Sequence, residues 1–131
     1  MFNADQTTAI YRGNVLDLGE RRMQWLSQRQ QILADNVANA DTPGFVPSDA
    51  SSFDAALSSF DIAPVVTSAM HMGGGRNGVR AVRDKHERAP DGNAVSLDAQ
   101  MEKIANTDDQ QRLASTLYKT YVSMFDTALD K

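Results

Sequence analysis

Proline and glycine are the residues a helix interior tolerates least, and in this chain they are segregated. All four prolines (Pro43, Pro47, Pro64 and Pro90) and six of the eight glycines fall between residues 41 and 96. Only Gly13 and Gly19 precede that stretch, and residues 97–131 hold neither type. The chain therefore divides into an N-terminal helical segment (1–40), an irregular insert (41–96) and a C-terminal helix (97–131). At 131 residues the three make one structural unit, 1–131. The fold class this predicts is mostly α. Two long terminal helices pair as an antiparallel, coiled-coil-like hairpin around a Pro/Gly-rich middle.

The periodicity supports both helices. Met23, Leu26, Leu33, Val37 and Ala40 recur at three-, four- and seven-residue steps and share one face, with Gln30 as a polar break. Gly13 and Gly19 leave the start open between the neighbourhoods of Thr7 and Leu18. The stop is sharp: Pro43 disfavours a helical Thr42, and Pro43-Gly44 fits the centre of a type II turn that redirects the chain. In the last segment Ser96 is the expected N-cap and Asp98 suits the first turn. Leu97, Met101, Ile104, Tyr118, Val122, Phe125 and Leu129 form its stripe, widened by Leu117, Tyr121 and Met124. Asp108, Gln111 and Ser115 interrupt it, within a run from Asn106 to Arg112 that is polar all round.

The insert is less regular. Pro64–Thr67 and Val79–Val82 have strand composition, and Asn77-Gly78 between them is a hairpin-turn dipeptide. A small β-hairpin and a disordered loop both remain open. Residues 76–88 carry Arg76, Arg80, Arg83, Lys85 and Arg88, diluted by Asp84 and Glu87 and without aromatics. That reads as a solvated loop rather than a polymer-binding patch.

Most chemistries are disfavoured by what the chain lacks. The net charge of −4 is wrong for sequence-independent nucleic-acid binding. With no cysteine there is no disulfide framework, thiolate metal site or cysteine nucleophile. His71 and His86 fit no standard zinc spacing, so no metal is expected. Gly73–Gly78 matches G-x-G-x-x-G, but a dinucleotide site also needs a strand–helix–strand context. Pro90 and Gly92 break the chain before Asp98, which opens a helix. A soluble ligand- or nucleotide-binding domain using the Gly73–Gly78 loop is the alternative this leaves; no cofactor and no catalytic residue are expected. No stretch approaches a membrane span, and Met1–Ile10 lacks the features of a cleaved signal peptide.

Two helices in one layer cannot enclose a core. Either the insert folds over them or other chains do, and physics alone leaves that contest open.

Gln28–Phe45, ending Asn36-Val37-Ala38-Asn39-Ala40-Asp41-Thr42-Pro43-Gly44-Phe45, resembles the N-terminal signature of bacterial flagellar rod and hook proteins. Asp91–Asp98, followed by Met101 and Asn106, resembles the family's second motif, and Thr67–His71 its Thr-x-x-x-His stretch. The order and spacing fit from end to end. The resemblance implies a non-catalytic structural subunit of the basal-body rod, within the periplasm. It implies export through the flagellar type III apparatus without a cleaved signal peptide. The implied partners are other rod subunits, the adaptor joining rod to inner-membrane ring, and that ring; another rod or adaptor subunit is the alternative within the class. The expected subunit interface comprises Leu26, Leu33, Asn36, Val37, Asn39 and Ala40 on the first seam. On the second seam it comprises Leu97, Met101, Ile104, Tyr118, Val122 and Phe125.

Overall fold

The computed structural model describes residues 4–61, 79–85, 88–89 and 92–130. Helix α1 runs Ala4–Ala38, strand β1 Ser48–Ala50, helix α2 Phe53–Asp61, strand β2 Ala81–Arg83 and helix α3 Leu97–Leu129. The 35-residue α1 and 33-residue α3 pack against each other, with bonds between them from Asn36–Gln100 to Glu20–Tyr118. Each is about 50 Å long at 1.5 Å per residue. α1 starts earlier than either expected point and runs through both Gly13 and Gly19. Gly19 has a packing reason: a Cβ there would stand 3.2 Å from the Tyr118 ring.

The helix ends follow local chemistry. Ser96 caps α3, its side chain accepting from the Ala99 N–H. At the end of α1 the ladder tightens, with Ala40 N–H donating to Val37 and Thr42 N–H to Asn39. Then Phe45 N–H donates to Thr42 C=O at 3.2 Å, with Gly44 at φ 76°. That is the expected type II turn. It turns the chain out of α1 so that Pro47, fully buried, and β1 lie back along the helix pair.

The insert differs from expectation in two ways. β2 falls where strand composition placed it, but its antiparallel partner is β1, with Ser48 opposite Arg83 and Ala50 opposite Ala81. The reason lies in α1, whose Asn36 holds Ser48 by its main chain. Pro64–Thr67 and Asn77-Gly78 lie outside the described residues. The second difference is α2, a nine-residue helix. Ser52 starts it, accepting at its hydroxyl from Ala55 N–H and at its carbonyl from Ala56 N–H, and Asp54 sits in its first turn.

The core is small and sits where insert meets helices. Trp25, Leu26 and Ala56 are buried together, with Ala50, Phe53, Val79 and Ala114 packed on them. Leu33 and Val95 are buried further toward the loop end. Among the described residues, β1 and α2 fold over the helix pair along one flank. Among the described residues, no helix is long and apolar enough to cross a membrane.

Candidate functional site

Three elements converge on Asn36. Its amide N–H groups donate to Ser48 C=O at 2.6 Å and to Gln100 Oε1 at 2.9 Å, and its Oδ1 accepts from Ser48 N–H at 3.0 Å. Asn36 and Gln100 are both buried. One side chain thereby ties α1, β1 and α3 in fixed register, the use to which a buried Asn is best suited.

A second cluster lies three turns toward the open end. Arg22, Trp25 and Arg29 share a face of α1 at i, i+3, i+7. The Trp25 indole N–H donates to Ser51 C=O at 2.8 Å, and its ring meets Phe53 edge-on at 6.0 Å. Arg22 lies over both rings, 4.7 and 4.9 Å from their centroids, and Arg29 stacks on Trp25 at 5.6 Å. Arg29 grips Asp49 through two bonds of 2.8 and 2.9 Å, the bidentate geometry that makes such pairs strong. Arg22 donates to Gln110 Oε1 at 2.8 Å. Burial, and then the charge of Arg29, push the Arg22 pKa down, while Asp54 opposes the shift.

This explains the polar break in the α3 stripe. Thr107 is fully buried, its hydroxyl donating to Lys103 C=O, and Gln110 meets Arg22. Within the Asn106–Arg112 run, Gln110 thus has a polar partner on α1 in Arg22.

The expected interface residues separate into three groups. Leu26, Leu33 and Asn36 are buried inside the chain's own helix pair. Val37, Asn39, Ala40, Ile104, Tyr118, Val122 and Phe125 are half-buried. Asn39 donates to Asp35 C=O one turn back, a helix-end role. Leu97 and Met101 are 51% and 61% exposed. Sequence reading missed Trp25, Arg22, Arg29 and Gln100. The Arg-x-x-Trp-x-x-x-Arg spacing was the available signal for the first three; Gln100 offered none.

At the open end, beyond α2, the flank becomes an apolar groove of about 290 Å³. Val15, Leu18, Phe53, Leu117 and Tyr121 line it, and Arg22 is the one charged lining residue among the described side chains. Tyr118 crosses beneath, its hydroxyl donating to Glu20 at 3.0 Å. That bond, then burial, then the Glu20 charge raise the Tyr118 pKa. Among the described residues no group of His, Cys, Asp or Glu could hold a metal ion. The Gly73–Gly78 loop, His71 and His86 lie outside them.

The family model for flagella basal body rod proteins matches residues 16–45, which hold α1 from Leu16 and the turn at Gly44. The chain is also 32% identical over 118 residues to the flagellar basal body rod protein FlgB of Agrobacterium fabrum (strain C58 / ATCC 33970), covering 84% of this chain and 88% of the relative. The chain belongs to the flagellar basal body rod protein family. It is a structural subunit of the flagellar basal body rod, and the matched segment is the one that carries both the Trp25 cluster and Asn36. The family signature therefore falls on the residues that fasten the insert to α1.

Proposed function

We propose that this flagellar rod protein builds the proximal rod by packing its helix pair against other rod subunits, and that the assembled shaft transmits torque. The observation that carries this reading is the uncovered apolar surface of α3. Leu97, Met101, Leu113, Leu117, Met124 and Leu129 are each at least half exposed on one helix. A side chain of that size gains about 1.5–3 kcal/mol when fully buried, so neighbouring helices have a large contact term available.

The interface residues then divide by role. Leu26, Leu33 and Asn36 hold the pair together. Val37, Asn39, Ala40, Leu97, Met101, Ile104, Tyr118, Val122 and Phe125 supply contact surface around it. Pro43 and Gly44 send the insert to one side, leaving the helices free to pack. The subunit works in the periplasm, reaches it through the type III export apparatus without a cleaved signal, and meets the adaptor and ring at the rod's base. It performs no catalysis.

Deleting the gene and imaging basal bodies by electron microscopy tests the proposal. Rods should be absent, and the wild-type gene should restore them. Intact rods in the deletion strain refute it.

A further inference from the structure

The two edges of the small sheet are finished differently. On the α1 side, Ser48 gives both main-chain groups to Asn36, and Ala50 N–H donates to Asp49 Oδ1 at 2.7 Å. On the other side lies β2. Ser51 N–H donates to Arg80 C=O and Asp84 N–H to Pro47 C=O. In this register Arg80, Val82 and Asp84 turn their main-chain groups toward β1, and alternation directs those of Ala81 and Arg83 outward. Among the described residues nothing bonds to these outward groups. All three residues of β2 are exposed.

Charge marks the same edge. Arg80, Arg83 and Lys85 are exposed, and among the described residues no ion pair holds them. The two acids beside them are already taken: Arg29 grips Asp49, and Lys103 stands 3.7 Å from Asp84. Asp54, in the first turn of α2, acts on Arg22. Glu87, the next acid along the chain, lies outside the described residues. An open groove of about 440 Å³ lies against the sheet, with Arg83, Lys85 and the 55% exposed Val82 in its lining beside the two paired acids.

We propose that this edge receives an extended, acidic peptide of a partner protein, which adds to β2 as a third strand. Main-chain bonds to Ala81 and Arg83 hold it. Its carboxylates meet Arg83 and Lys85 at alternate positions, and an apolar side chain between them meets Val82. Charge alone would suit a solvated loop; free main-chain groups at the same place make it a strand site. A second copy of β2 is disfavoured by sign, because like charges opposite one another destabilise a strand pair. Basic residues guard an edge against its own copies in this way, yet leave it open to a strand of opposite charge. The chain's own residues 62–78 are unsuited on the same ground, since they hold one base, Arg76, and no acid. This edge lies apart from the helix surfaces invoked for rod packing, so its failure would leave that reading intact.

The test uses the full-length protein and a fluorescein-labelled peptide of about eight residues in which Glu and Val alternate, as strand faces do. Fluorescence anisotropy should show saturable binding that weakens several-fold with added salt. Methylating the peptide's amide nitrogens keeps its charge and removes its main-chain donors, and should weaken binding at least ~tenfold. Arg83→Glu with Lys85→Glu should weaken it about tenfold and favour a Lys–Val peptide instead. Ala81→Pro removes one outward N–H, leaves the ladder to β1, and should weaken binding several-fold. Circular dichroism and Trp25 emission check that each variant keeps its fold. In the free protein the Ala81 and Arg83 amides should exchange with solvent quickly, and slow down when the Glu–Val peptide is added. Slow exchange at both before any peptide is added overturns the proposal, because the edge is then already covered. Binding that survives amide methylation overturns it too, leaving only a charged patch, and so does absence of saturable binding.

Discussion

Asn36 and Gln100, 64 residues apart in sequence, share a buried amide–amide hydrogen bond of 2.9 Å at the loop end of the helix pair. The same Asn36 side chain satisfies both main-chain groups of Ser48. Asn36→Ala takes the partner from both main-chain groups of Ser48 and removes the bond to Gln100, at about 1–3 kcal/mol for each group that stays dry. The expected loss is about 3–5 kcal/mol in urea or thermal unfolding. Gln100→Ala should cost less, and the double variant less than the sum of the two. A coupling near zero in that cycle would remove the direct bond from the account.

Leu33 has no exposed surface in the folded chain. A carboxylate there is buried without a partner, so Leu33→Asp should destabilise by at least ~4 kcal/mol. Its loss of swimming would report a broken helix pair. Leu117→Asp is the more telling variant. It stands at a half-exposed position, should shift stability by about 0.5 kcal/mol or less, and should still stop rod assembly. Normal motility in a strain carrying it would remove the groove from the interface.

Arg29 holds Asp49 through two parallel bonds while stacking on Trp25. Lysine keeps the charge but loses the fork and the stack. Arg29→Lys should therefore cost about 1–2 kcal/mol, and the fluorescence of Trp25, the single tryptophan, should change in the native state. An unchanged emission spectrum with unchanged stability would show that the stack contributes nothing.

The Tyr118–Glu20 bond has a defined pH dependence. The folded phenol has a raised pKa, first because it donates to the Glu20 carboxylate. A group raised on folding stabilises below its ordinary value and loses that contribution as pH climbs through the raised one. The bond should hold at neutral pH and fail only in strong alkali. Absorbance titration should show one of the three tyrosines ionising late, and Glu20→Gln should bring it back toward the ordinary range. Three indistinguishable tyrosines would count against the bond.

Much of this was legible in the sequence because local chemistry decided it. Ser96 and the Pro/Gly-free run placed α3, and Pro43-Gly44 placed the turn. The leucine periodicity located Leu26 and Leu33. The rest depended on partners far away in the chain. Strand composition found β2 but not β1, because Ser48-Asp49-Ala50 is no strand former and is held by Asn36 and Arg29. Thr107 and Gln110 read only as part of an all-round polar run, because nothing nearby shows that Thr107 is buried or that Arg22 meets Gln110. Leu97 and Met101 fit the stripe by spacing, yet it is Gln100 between them that meets α1, leaving both more than half exposed.

The placement of β1, β2 and α2 on one flank has a consequence for how copies are counted into an assembly. Two bare antiparallel helices look much the same after half a roll about their common axis, so a neighbour could receive them either way round. The sheet and α2 along a single flank remove that ambiguity, as the tooth of a key does. A subunit seated with the wrong roll would press Asp49, Arg83 and Asp84 into a helix-packing face and would be rejected by desolvation alone. On the packing proposed above, angular indexing around the shaft would reside in β1, β2 and α2, and length along it in the two helices.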